Sequence, residues 1–338
     1  MNKKTALCLF WMALASTVFA WDYQWHRLVS QLALETLPQD FPAFVKTPEA
    51  RERILFLSGE ADRWRNSNEN TFKHLNNPDH YLDLEDIPLA GLDPLAVSPF
   101  RYEFVAQFAA ARAKNIDRFP PIDPARNSDK TRELPGFLPW TLNEHFGRLK
   151  SQFSYLREYT ANGNADEIRN AEQNIIYVMG LMSHFAADAT QPLHLTRHYN
   201  GWVGPNPRGY TTNKQFHQWI DGDYLEKVGL DASSLMAKLR PARAWRTTEH
   251  QPAEGLFPEI MKFCIAQNQL VEKLYQMEKD GQLAGEGEKG RQGREFLADQ
   301  IVKAAQLLGD LWLMAWKEAP GDSFLRKQLL KRNTKTNR

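Results

Sequence analysis

The sequence predicts an all-α fold, a single multi-helix bundle. Three observations support this. Apolar residues recur three and four apart through most of the long stretches, strand-like alternation is scarce, and no linker separates two cores. The chain has 338 residues, 42% of them apolar, which is enough for one large core.

Taken in order, the first twenty residues, MNKKTALCLFWMALASTVFA, form a unit of their own. They have a basic start, a short apolar run and small-residue spacing at Val18 and Ala20. That pattern is a secretory signal peptide, and its run is too short to span a bilayer comfortably. Cleavage after Ala20 would make Trp21 the mature N-terminus and the protein secreted or periplasmic. Cys8 would leave with the leader, so the mature chain would carry Cys264 alone and form no internal disulfide.

The first helix is HRLVSQLALETL (26–37), with Leu28, Leu32 and Leu34 toward one side. TLNEHFGRLKSQFSYLREYT (141–160) follows Pro139, with Thr141 and Glu144 spaced as a capping box. EIRNAEQNIIYVMGLMSHFAADA, from Glu167, becomes steadily more apolar and belongs in the centre. LFPEIMKFCIAQNQLVEKLYQ (256–276) and REFLADQIVKAAQLLGDLWLMAWKEA (294–319) complete a bundle of roughly eight helices. The loops IPLAGLDPLAVSP and FPPIDPARNSDK interrupt the pattern with proline and aspartate, and YNGWVGPNPRGYTTNK is a long polar connection. Residues 21–322 read as one domain. Residues 323–338 read as a basic tail, frayed at its end.

Lysine and arginine number 42 against 41 acidic residues. No global field therefore marks a polyanion binder, and attraction to phosphate must be local. Nothing points to an obligate protein partner, so a monomer is expected.

Chemistry concentrates in HFAADATQPLH (184–194). His184 and Asp188, four apart on a helix, project from one face. Pro192 ends that helix nearby, and His194 follows on the turn. FHQWID (216–221) repeats the spacing with His217 and Asp221. Imidazole and carboxylate are ordinary zinc ligands, and burying such groups unpaired costs roughly 2–7 kcal/mol each. A metal would relieve that cost, although buried His–Asp pairs can also satisfy each other. An N-terminal Trp21 would add an amine and a carbonyl oxygen as a chelate, with His26 five residues on.

WDYQWH (21–26), EADRWR (60–65), DHYLD (79–83), HFAADATQPLH (184–194) and FHQWID (216–221) occur in this order. The series resembles the zinc-dependent nuclease S-one/P-one family, whose superfamily includes phospholipases C with three zinc ions. The resemblance implies a trinuclear zinc cluster in a cleft of the bundle. Asp62, His80, His184 and Asp188 would hold one zinc. Trp21, His26 and Asp188 would hold a second, and His194, His217 and Asp221 a third. Asp188 would bridge the close pair. Catalysis would fall to Asp62, Arg65 and Asp188, with water activated by the metals as nucleophile. Tyr81, Asp83 and Trp202 would bind substrate, Tyr199 being a further aromatic candidate for stacking a base.

The implied activity is hydrolysis of single-stranded RNA, DNA and 3′-nucleotides to 5′-phosphate products. Phospholipase C action on head groups is the alternative, and a non-catalytic metal-stabilised binding protein is a second. The short interval from Trp21 to His26, and Asp221 in place of Glu, favour the nuclease. The loop YNGWVGPN stands where the family carries Gly-Gly-Asn. His74, His145, His198 and His250 match no motif and are expected at the surface or behind the ligands.

Overall fold

The computed structural model describes residues 23–245, 255–285 and 287–336. The leader, Trp21 and His250 lie outside the described residues.

Helices dominate, and among the described residues the one β-contact outside them is an isolated bridge between Leu82 and Gly136. The first half contains α1 (Tyr23–Thr36), α2 (Pro48–Leu57), α3 (Glu60–Arg65), α4 (Asn70–Asn76), α5 (Asp86–Leu89), α6 (Arg101–Lys114) and α7 (Leu138–Asn162). The second half contains α8 (Ala165–Asp188), α9 (Phe216–Gln218), α10 (Tyr224–Val228), α11 (Ala232–Met236), α12 (Phe257–Asn268), α13 (Val271–Lys279), α14 (Gly287–Glu318) and α15 (Ser323–Thr336). Among the described residues, no helix is long and apolar enough to cross a membrane.

The expected helices form, with instructive differences. The stretch 256–276 breaks at Gln269–Leu270 into α12 and α13, although no Gly or Pro stands at the break. α6 was not anticipated. Only Phe104 and Phe108 are buried from it, a sparse stripe on a mostly exposed helix. α7 begins at Leu138 rather than Thr141, because Pro139 is tolerated in a first turn. Thr141 is therefore inside the helix and forms no capping box. Its hydroxyl donates to Phe137 O and accepts from Arg101, which also pairs with Glu144. A capping box does start α8, where Asn164 and Glu167 exchange bonds. The basic tail is not frayed through 323–336. It forms α15, pinned by Arg326 on Glu158 and Arg332 on Glu167.

α7 and α8 form the long central pair, joined by a short turn, and α14 lies against α1, α7 and α8. Trp312, Phe146 and Phe153 lie in this core with almost no exposure, and Trp140 stacks on Phe104 of α6. One glycine positions the site. A Cβ on Gly180 would stand 2.5 Å from Leu57 Cβ, so α2 can press against α8 only because that position is bare. This close crossing brings the end of α2, and Ser58 after it, beside His184.

Candidate metal centre

The ligand-type residues arrive from separate parts of the chain. α1 supplies His26, α3 supplies Asp62, and the turn Asn77–His80 supplies His80. α8 supplies His184 and Asp188 on successive turns at its end. Beyond it, Gln191 caps a 3-10 turn, Pro192–Leu195, that carries His194. His217 sits on α9, and Asp221 on the π turn Trp219–Asp223 that follows, an irregularity common at functional sites.

Three groups form, each with donor atoms within 4.8 Å of one another: His26, His184 and Asp188; Asp62, His80 and His184; His194, His217 and Asp221. Around Asp188 Oδ2 stand His80 Nδ1 at 3.1 Å, His184 Nε2 at 3.3 Å and His194 Nδ1 at 3.7 Å. Its other oxygen, Oδ1, lies 3.8 Å from His26 Nε2. Asp62 Oδ1 is 3.8 Å from both His80 Nδ1 and His184 Nε2. In the third group His217 Nε2 is 2.5 Å from Asp221 Oδ2, while His194 Nε2 is 3.6 Å from that oxygen and 3.1 Å from His217 Nε2. Donors held about 2.1 Å from a tetrahedral zinc stand about 3.4 Å apart, within the range of most of these spacings.

Imidazole orientation is set from behind. His184 Nδ1 donates to the carbonyl of Ser58 at 2.7 Å, leaving the Nε2 lone pair facing the carboxylates. His194 Nδ1 donates to the carbonyl of His80, also at 2.7 Å, while Leu82 N donates back to His194 O. This reciprocal clip ties the second group to the third. Gln191 Nε2 donates to Asp221 Oδ1, and the Gln191 side chain also accepts from Leu193 N.

Electrostatics favour added positive charge. Burial opposes ionisation of Asp188, yet His194 and His184 hold its carboxyl well below the usual range. Burial likewise opposes ionisation of Asp62, and Arg65 and the neighbouring imidazoles outweigh it. His194 is raised to about 9 against its burial, by Asp188 and Asp221. His26 and His80 are pushed down to about 3 and about 4, chiefly by burial, so both stay neutral and keep lone pairs for a cation.

The residues fit metal ions on a further count. Both ring nitrogens of His26, Nε2 of His80, and Oδ1 of Asp62 and Asp188 are buried without a hydrogen-bond partner. Arg65 Nε stands 2.8 Å from Asp62 Oδ1 as an ion pair, but it is not aligned as a hydrogen bond. Each orphaned buried group costs about 1–3 kcal/mol, so five in one region favour cation binding. Buried His/Asp groups able to hold more than one metal ion are therefore a property of this fold.

The candidate substrate residues form a second layer. Tyr81 and Asp83 follow His80 directly, clamped by Asp83 N on Pro135 O at 2.6 Å and by Leu138 N on Tyr81 O. Burial pushes the Asp83 carboxyl well above the usual range, with Asp86 and Glu85 adding to it. Tyr199 stands nearer the third group than Trp202 does, its ring 6.1 Å from that of His217. Trp202 is occupied in packing. It stacks on His198 at 3.9 Å, meets Tyr210 and Tyr275, and donates to Pro205 O. His145 is buried behind the cluster, stacked on Phe185 and pushed down to about 3 by burial and nearby Arg148. His74 contacts Asp129 O through Nδ1.

Sequence reasoning missed Ser58, whose carbonyl leaves no mark in sequence, and Gln191, which sits visibly before Pro192. It also missed Arg132, which donates to the Tyr199 hydroxyl at 3.0 Å across a separation of 67 residues. The chain matches no protein-family model and no curated protein.

Proposed function

We propose that the chain is an exported zinc-dependent phosphodiesterase that hydrolyses single-stranded RNA and DNA to 5′-phosphate products, and 3′-nucleotides to nucleosides and inorganic phosphate. The observation that carries this proposal is Asp188, one carboxylate shared among His26, His80, His184 and His194. A structural zinc site is usually closed by four side chains of its own, whereas a shared carboxylate between open groups suits catalysis. The resemblance in the five ordered motifs points the same way.

Two ions would lie in the groups around Asp188 that have His184 in common, Trp21 completing the one at His26, and a third would lie between His194, His217 and Asp221. Bound zinc supplies an acidified water and neutralises charge as the phosphodiester breaks. The chain's own residues then have defined tasks. Asp62 accepts a hydrogen bond from the attacking water and so aims it at phosphorus. Arg65, whose Nε stands 2.8 Å from Asp62, donates its remaining N–H groups to phosphoryl oxygens as their charge grows. Ser58 and Gln191 keep His184 and Asp221 in position. Burial of the cluster excludes bulk water and strengthens each of these interactions.

The test is a hydrolysis panel on zinc-loaded protein beginning at Trp21, offering single-stranded DNA, RNA, 3′-nucleotides and phosphatidylcholine. Cleavage of the nucleic acids with 5′-phosphate ends is expected. Cleavage of phosphatidylcholine alone would replace the proposal with a phospholipase, and zinc binding without any hydrolysis would leave a metal-stabilised binding protein.

A further inference from the structure

Three arginines are associated with the site residues, and two are spoken for. Arg65 pairs with Asp62, and Arg197 lies 3.3 Å from Asp86. Arg132 is exposed, and among the described residues no carboxylate lies within ion-pairing distance of it. Its hydrogen-bond partner is the uncharged Tyr199 hydroxyl.

Its placement is well determined. Arg132 N donates to Asn127 Oδ1 at 3.1 Å, and Asn127 Nδ2 donates to Glu133 Oε1 at 2.8 Å. Asp129 accepts from Thr131 and Asn77. Lys130 takes a left-handed φ of 57°, an uncommon conformation for a lysine. The loop ends at Gly136, φ 93°, where a Cβ would stand 2.1 Å from Tyr81 O, so only glycine lets it close on the Tyr81 backbone. A surface loop held this firmly presents its guanidinium in one place, at the tip of a tyrosine whose ring flanks His217.

The acids nearby do not cancel this charge. Glu85 accepts from Thr196, Arg197 N and Asn268, and Asp86 faces Arg197. Burial disfavours the ionised form of Asp83. The corner formed by Tyr81, Asp83, Tyr199 and Arg132 is therefore aromatic and carries a free cation. Without Arg132, the same aromatics and carboxyl would suit a quaternary ammonium head group.

We infer that Arg132, oriented by Tyr199, binds the phosphate neighbouring the scissile one, so that the site takes nucleotide chains and disfavours choline head groups. This rests on the phosphodiesterase function proposed above and adds a substrate preference: a second anion one nucleotide away. Guanidinium suits that role because its fork matches phosphate oxygens.

The experiment compares a thymidine decanucleotide with thymidine 3′-monophosphate, which has no second phosphate. Arg132→Ala should raise KM for the decanucleotide about tenfold, as expected for one charge-assisted hydrogen bond, with kcat little changed. KM for the monophosphate should stay within about twofold, that is, within about 0.4 kcal/mol. Binding of a nuclease-resistant phosphorothioate decanucleotide should weaken in parallel, and its salt slope should fall by about 0.7, one phosphate contact. Tyr199→Phe should move KM in the same direction by less, and Arg132→Lys should recover part of the loss. Equal effects on both substrates, or none on either, would overturn the role of Arg132 while leaving the phosphodiesterase standing. A wild-type chain that cleaves phosphatidylcholine and no nucleotide would overturn both.

Discussion

The floor and the wall of the candidate site are built in opposite ways. The floor, His26, Asp62, His80, His184, Asp188, His194 and Asp221, is almost wholly buried and comes largely from helices and short turns. Two of its imidazoles, His184 and His194, are aimed by backbone carbonyls, which a mutation cannot remove. The wall, Tyr81, Asp83, Arg132 and Tyr199, comes from irregular segments and is partly exposed. Backbone hydrogen bonds clamp Tyr81 and Asp83, while Arg132 and Tyr199 meet through a side-chain contact between loops distant in sequence. Substitutions in the floor should cost metal and activity together, whereas those in the wall should change which substrate is used.

The sharpest way to break this comparison is Asp188→Asn against Asp83→Asn. Losing the shared carboxylate should lower hydrolysis by about 10³-fold or more, beyond the 10–100-fold typical of residues behind a metal ligand. Initial-rate assays at matched zinc concentration would show this. Gln191→Ala should come next, weakening zinc affinity at the third group by about 10–100-fold, because Asp221 loses its supporting donor. Chelator competition measures it, and unchanged affinity would remove Gln191 from the site.

Asp83→Asn should have a smaller effect, a few-fold shift in preference among nucleotides, equivalent to about 1 kcal/mol, with zinc content unchanged. An amide resembles a protonated carboxyl, the form that burial of Asp83 favours. Rates on homopolymeric substrates would reveal the shift, and a loss as large as that of Asp188→Asn would erase the distinction between floor and wall.

The smallest effect lies away from the candidate site. The hydrogen bond from Arg326 lowers the Glu158 pKa against a small burial cost. A carboxylate depressed below its unfolded value of 4.5 contributes stability above that value and loses it as pH falls through the folded one. Glu158→Gln should therefore lower the melting temperature slightly near neutral pH, and the two melting temperatures should converge as pH falls below the depressed folded pKa. A gap that persists in acid would mean that the residue acts through packing rather than charge.

This division also explains what was legible. His184 with Asp188, and His217 with Asp221, carry the four-residue spacing of one helical turn, so local geometry alone brings each pair together. Asp62 and His80 carry no such spacing and stood out only through ordered motifs. The Arg132–Tyr199 contact joins two loops whose course depends on tertiary docking, so no local signal revealed it. Trp202 shows the converse: an aromatic in a functional loop suggests stacking on substrate, yet here it fills space against His198, Tyr210 and Tyr275. For the fold, periodicity found the helices with dense apolar stripes and missed α6, which buries two phenylalanines. The basic composition of 323–336 suggested fraying, while the apolar Leu325 and Leu329, on the side facing the bundle, allow a docked helix.

The central claim is that one carboxylate is shared between two cation sites while a third stands apart from it. Zinc quantified per chain, in wild type and Asp188→Asn beginning at Trp21, tests it directly. Three ions are expected in the wild type, and one in the variant, retained by His194, His217 and Asp221. A variant that keeps all three ions, or a wild type that binds none, would contradict the account.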